Sequence, residues 1–448
     1  MSGPGAVGSG AVGSGAGEPG AVGSGADVAA TPARRRAGAL RHRNFRLFFV
    51  GQLVSLAGTW MQTLAQSWLV LTLERDPFWL GVVGAAQFGP VLVVGLFGGV
   101  LADLLPKRRT IVATQAAQMA LAFVLGALTW LGVVELGHVI VLALLLGIVN
   151  AIDMPARQSF LIEMVGREDV ASAVGLNAAS FNVTRIVGPA IGGVVIGAVG
   201  IAACFALNGL SFLAVLAGLL LMRDEELRLA DRLERPGSAR EVAGHLAEGL
   251  RYVVGTPLVR LALVMIAIVS TVGMNFGVAI PALADAVLGV GATGLGFLMA
   301  AMGLGSTAAA LVFAIGGPTR PRPWAIVLGA LGVGATQLVT GLAPSYPLAL
   351  AMLAGLGAAS IGMMISANTA IQLSVPDRLR GRAIAVYTTI LAGTTPIGSL
   401  AIGAIASRLG TEVAWVVAGS LSLVAGLGGA VWLRLRGVSG PGAPPPGS

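Results

Sequence analysis

The chain has 448 residues, 56% of them hydrophobic and 11% charged, with a mean hydropathy of +0.87. Apolar runs of about 18 residues or more recur along nearly the whole length, which excludes a soluble globular protein and defines an all-α polytopic membrane protein. The net charge of +8 sits almost entirely in alternate loops, so it reads as membrane topology and carries no nucleic-acid signal.

Residues 1–43 open with the unit GAVGSG at 5–10, 10–15 and 20–25. Such a segment has nothing to bury and is expected to be a disordered cytoplasmic tail without signal-peptide character. Arg34, Arg35, Arg36, Arg41, Arg43 and Arg46 then precede the first apolar run. Twelve membrane spans are expected, over 46–73, 79–102, 110–134, 138–160, 171–198, 201–222, 258–286, 292–316, 324–343, 346–372, 383–407 and 411–433. Cytoplasmic segments and helix ends then hold 25 of the 28 basic residues; only Arg75 and Arg408 fall outside, and Arg185 lies deep within a span. That bias places both termini in the cytoplasm.

The one long charged stretch between spans divides them six and six. Residues 44–222 are expected to form one half and 258–436 the other, with a linker at 223–257 and a disordered tail at 437–448. In the linker Ser238 and Glu241 have capping-box spacing, and Val242, Leu246, Leu250 and Val253 share one helical face. This predicts an amphipathic helix on the cytoplasmic surface. The halves also echo each other: Val165 aligns with Val375 and Ala173 with Ala383, each pair flanking a charged turn. Two six-span repeats imply a pseudo-twofold axis along the membrane normal and a substrate cavity between the halves.

Polar residues inside the spans are few enough to be informative. Gln52, Ser55, Thr59, Gln62, Thr63 and Gln66 form a stripe on one face of the first span. Facing lipid it is costly, so it either bonds other helices or lines a water-filled central cavity, the preferred reading. Asp153 and Arg157 stand one turn apart near the cytoplasmic end of the fourth span, where they can pair. Arg185 lies in mid-span with no acid on its own helix and needs a carboxylate, carbonyls, water or an anionic ligand. Cys204 is the only cysteine, and His42, His138 and His245 are scattered. Neither a disulfide, a metal site nor a cofactor is expected. No nucleophile–base pair marks a membrane-embedded enzyme.

Between the second and third spans the chain reads GGVLADLLPKRRT from Gly98. Gly99, Leu101, Ala102, Asp103, Arg108 and Arg109 resemble the signature loop of the major facilitator superfamily, although Leu104 and Pro106 depart from its usual residues. Gly188, Pro189, Gly192 and Gly193 resemble the core of that superfamily's antiporter motif. The stretches NFRLFFVGQLVSLAGTWMQ (44–62), DMPARQ (153–158), VGPAIGG (187–193) and VPDRLRGRA (375–383) are similar to the transmembrane secretion effectors, a branch that includes siderophore exporters. The resemblance implies a transporter of the bacterial cytoplasmic membrane that rocks two halves about a fixed site. It implies efflux, by proton antiport, of a siderophore, macrolide or other amphipathic molecule. Gly99, Asp103, Arg108 and Arg109 are then the latch, with Asp103 meeting Arg157 or a base in the Arg378–Arg382 turn. Asp153 and Arg185 are the candidates for proton coupling. Gln52, Thr59, Gln62, Thr63 and Gln66 are the candidates for the substrate cavity. The expected partners are a small-molecule substrate, protons and the lipid bilayer. Solute uptake or uniport shares the same fold.

Overall fold

A computed structural model describes residues 38–228, 244, 255–316 and 322–437, the side chains of 93–104, 377 and 378 excepted. Most of the expected N-terminal tail, the C-terminal tail after Gly437 and the linker helix through Val242 and Val253 lie outside the described residues. Residues 38–42, expected to belong to the tail, carry regular structure: Ala39–Arg41 forms a 3-10 turn whose Ala39 is fully buried.

The helices are α1 (Arg43–Leu73), α2 (Pro77–Leu104), α3 (Lys107–Trp130), a 64-residue run Leu136–Val199, and α6 (Ile201–Leu220). After the linker come α7 (Pro257–Gly273) with its continuation Phe276–Ala282 and a π turn Leu283–Val287. Then follow α8 (Gly291–Gly316), α9 (Pro323–Leu342), α10 (Tyr346–Ser374), α11 (Asp377–Leu409) and α12 (Thr411–Leu435). Among the described residues ten helices are long and apolar enough to cross a membrane. The 64-residue run is far too long for one crossing of a hydrocarbon core about 30 Å thick. It divides at Gly166, where φ is +75°, into α4 (136–165) and α5 (167–199). With α2 included, the helix order is consistent with twelve spans. The loop expected between the fourth and fifth spans is thus almost wholly helical. A single glycine in the left-handed region turns the chain with no further residues given up.

The seventh span, expected to be continuous, is broken at Met274 and Asn275. Pro281 removes an amide donor from the segment that follows. The freed groups find partners. Asn275 donates its side-chain amide to the Thr271 carbonyl at 2.7 Å, in place of a backbone N–H, and accepts from Ser399 of α11 at 3.2 Å. Gln337 of α9 donates to the Gly273 carbonyl at 2.8 Å. Irregular backbone at this depth survives because protein, not lipid, surrounds it.

The helices pack as two repeats. In the first half α1 lies on α5 and α6, α2 on α4, and α3 on α6; in the second, α7 lies on α11 and α12, α8 on α10, and α9 on α12. Between the halves α2 meets α11 and α5 meets α8. These two contacts exchange when the repeats are exchanged, which is the signature of a twofold axis. Large apolar side chains such as Leu144, Leu210, Leu311 and Val424 stay exposed on the outside, a surface suited to hydrocarbon and not to water.

Glycines set how closely the halves approach. A Cβ on Gly81 of α2 would lie 2.4 Å from the Ser399 carbonyl oxygen of α11. A Cβ on Gly296 of α8 would lie 2.6 Å from the Pro189 carbonyl oxygen of α5, and one on Gly193 would lie 2.8 Å from that of Ala292. Thr293 also donates its hydroxyl to the Gly193 carbonyl at 3.0 Å. All these residues belong to the start of α2 and α8 and the later part of α5 and α11. They therefore close the bundle on the side away from the two termini.

Candidate functional site

The polar stripe of α1 lines a cavity of about 80 Å³. Its other polar walls are Gln87 of α2, Gln115 and Gln118 of α3, Asn150 and Arg157 of α4, and Asn208 of α6. Every lining residue belongs to the first half. The stripe therefore faces the interior of one half, not the space between halves where the sequence placed it. Part of it is spent on interhelical bonds: Asn208 donates to Gln62 at 2.6 Å and Gln66 to Gln87 at 3.3 Å. The amide atoms Gln52 Oε1, Gln115 Oε1 and Gln118 Nε2 are buried with no partner among the described residues. A polar space of this size holds a few waters, which is what such atoms require. A drug-sized ligand needs several times the volume.

At one end of this seam stands Asp153, fully buried. Arg157 pairs with it at 2.6 Å across one helical turn. Thr114 donates its hydroxyl at 2.6 Å, and the Gln115 amide reaches both carboxylate oxygens at 3.1 and 3.3 Å. Three donor side chains hold the carboxylate, two on α3 and one on its own helix. The i, i+4 pair was legible in the sequence; the α3 donors were not singled out. Thr114, Gln115 and Gln118, clustered in the first half of a helix that is largely apolar beyond them, were the available signal.

The latch residues are placed unequally. Gly99 and Asp103 lie where side chains are not described, so the expected pairing of Asp103 lies outside the described residues. Arg157, one of its expected partners, is engaged by Asp153. Arg108 caps the end of α6, donating to the Leu219 carbonyl at 2.9 Å and the Leu220 carbonyl at 3.2 Å, and pairs with Asp224. A cation there satisfies orphan carbonyls and the negative end of the helix dipole. Lys107 pairs with Glu163 at 2.7 Å, and Arg109 is exposed. The basic turn thus ties α3 to α4 and α6 within its own half.

The glycine motif of α5 serves two neighbours. A Cβ on Gly188 would lie 2.6 Å from the Trp60 Cβ of α1, and Gly192 packs on Met61. Gly193 and the Pro189 carbonyl face α8 instead. Small residues on both faces let one helix touch both halves closely.

Where the chain enters α1, Asp169 accepts from His42 at 2.8 Å and pairs with Arg41 at 2.8 Å; Glu168 is 3.9 Å from Arg41. The His42 hydrogen bond, aided by the nearby positive charge of Arg41, holds the Asp169 carboxyl below its ordinary value. Because the folded value is the lower one, this contribution is complete above the unfolded carboxylate pKa of about 3.9 and disappears as pH falls through the folded value. Hydrogen exchange should show the Arg41 and His42 amides protected at pH 7 and pH 5 and released below about pH 4. In Asp169→Asn they should exchange quickly at pH 7, and equal protection in the two proteins would remove the clamp.

Two six-helix repeats joined through α2–α11 and α5–α8, with a buried ion pair at the end of a polar seam, define a transporter of the major facilitator superfamily fold. Residues 36–439 match the model of the transmembrane secretion effector family, and the chain belongs to that family. The multidrug efflux pump Tap of Mycolicibacterium fortuitum is 27% identical over 407 residues, covering 87% of this chain and 96% of that protein. The staphyloferrin A transporter of Staphylococcus aureus is 28% identical over 152 residues, 34% of this chain and 38% of that one. Among solved structures, an inward-facing, unoccupied bacterial homologue of the human lysosomal transporter Spinster superposes with a TM-score of 0.66 at 15% identity, covering 87% and 94% of the two chains. The protein is a multi-pass membrane transporter of the efflux and secretion type.

Proposed function

We propose that the protein exports a small amphipathic molecule, such as a siderophore, a macrolide or another drug, in exchange for protons, with both termini in the cytoplasm. The observation that carries the reading is Asp153: a fully buried carboxylate, ion-paired, at the end of a polar seam wide enough for water. Carboxylates in that setting are costly to keep and mark proton paths. The seam delivers the proton and the substrate travels between the halves.

Protonation of Asp153 removes the charge that holds Arg157. Arg157 and Asp103 both lie beyond the contact of Gly147 with Gln87, where α4 and α2 cross closely, and toward the same end. The released guanidinium is then free for Asp103. One arginine exchanged between two carboxylates couples proton binding to the latch, and two discrete pairings make the change a switch. The relatives support the direction of transport: Tap carries the name of a multidrug efflux pump, and the family is one of secretion effectors.

Asp103→Asn tests the exchange. The variant should insert and fold as the parent does, since that carboxylate ends a helix near the membrane surface, yet lose export of macrolides and lipophilic cations from whole cells. Full export by Asp103→Asn would dismiss the latch.

A further inference from the structure

Arg185 has an environment that the proton path does not use. Its guanidinium carbon lies 5.8 Å from the centre of the Trp60 ring of α1. Phe181, one turn before it on α5, meets the same ring edge-on at 5.4 Å. Two donors here are buried and have no acceptor among the described residues: Arg185 Nε and the indole Nε1 of Trp60. No described carboxylate pairs with Arg185. On its backbone side the Arg185 carbonyl packs against Gly303 of α8, whose Cβ would lie 3.1 Å away. The Arg185 backbone therefore lies where the two halves meet, deeper than the glycine contacts that close the far side, and its side chain packs on α1 next to that seam.

A guanidinium in mid-membrane is costly, and a buried N–H without an acceptor adds to the cost. The ring face of Trp60 offsets part of it, but a cation–π contact satisfies no N–H. An arginine keeps its charge at any working pH, so it is a poor proton carrier and a good fixed cation. Its fork matches a planar anion with two oxygens, and the indole N–H beside it adds a further donor. The neighbouring Trp60 and Phe181 rings suit a flat apolar frame next to that anion.

We propose that Arg185 and Trp60 recognise a carboxylate borne on an aromatic or other flat apolar frame in the exported molecule. This rests on the reading of the chain as an exporter of amphipathic molecules and narrows its substrate class. Arg185 then belongs to substrate recognition, and Asp153 alone carries the proton.

The test is equilibrium binding to the full chain in lipid nanodiscs, with empty discs subtracted. The probes are naphthalene-2-carboxylate and 2-naphthylmethanol, similar in shape and different in charge. Wild type should hold the carboxylate about tenfold or more tighter, as charge-assisted hydrogen bonds warrant. Arg185→Gln should erase that preference, Arg185→Lys should keep part of it, and Trp60→Phe should reduce it. Equal binding of the two probes by wild type, no binding of either, or a preference that survives in Arg185→Gln overturns the proposal. Should Arg185→Gln fail to fold, an undiminished preference in both Arg185→Lys and Trp60→Phe overturns it as well. Carboxylate binding without any export of amphipathic compounds by cells would count against the efflux reading and leave the binding site standing.

Discussion

Asp153→Asn should abolish proton-driven transport while leaving the helix bundle inserted and folded. The amide keeps the shape of the carboxylate and can still accept from Thr114 and Gln115, which lie 2.6 and 3.1 Å from Oδ1. It cannot take up a proton or neutralise Arg157. Asp153→Ala should do more: like Asn it leaves the Arg157 charge, only 24% exposed, without its partner, and it also removes the acceptor for Thr114 and Gln115. Leaving a buried donor without its acceptor costs about 1–3 kcal/mol more. Its thermal midpoint should therefore fall well below that of Asp153→Asn in the same detergent. Equal midpoints for the two variants would mean that the Thr114 and Gln115 bonds carry little of the stability, and proton-coupled export by Asp153→Asn would strike Asp153 from the mechanism.

Gly296→Leu should prevent the halves from closing on the side away from the termini. Its Cβ would lie 2.6 Å from the Pro189 carbonyl oxygen and 3.1 Å from the Gly193 Cα, both backbone atoms that cannot swing aside. Overpacking of this kind costs about 1–3 kcal/mol, roughly a tenfold to hundredfold shift in the ratio of closed to open states. Transport should stop because the cycle needs both states in turn. Gly137→Ala is the control, since a Cβ there meets nothing within 4 Å. A cysteine introduced by Thr293→Cys, on a Cys204→Ser background, should react faster with a membrane-impermeant maleimide when Gly296→Leu is added. Unchanged labelling together with normal transport would show that this contact is not a gate.

Much of this was legible in the sequence. Apolar run lengths and the distribution of arginines gave the order of helices, and the i, i+4 spacing gave the Asp153–Arg157 pair. The 3.6-residue period told which residues of α1 share a face. It did not tell which neighbours that face meets, because periodicity describes one helix and a cavity belongs to five. That is why Gln52, Thr59, Gln62, Thr63 and Gln66 were assigned to the space between halves and are found inside the first. Arg108 was read as part of the latch; its bonds to the α6 carbonyls, like that of Lys107 to Glu163, join residues more than fifty positions apart. The break in α7 was hidden for a related reason. Met274 and Asn275 leave the helix because Gln337 and Ser399, on two other helices, accept the consequences.

The most direct test of the account follows protons in everted membrane vesicles with an imposed pH gradient, as siderophores, macrolides and lipophilic cations are added in turn. At least one compound should dissipate the gradient with wild type and fail to do so with Asp153→Asn. A compound that wild type exports without moving protons, or that moves them equally in Asp153→Asn, would contradict it.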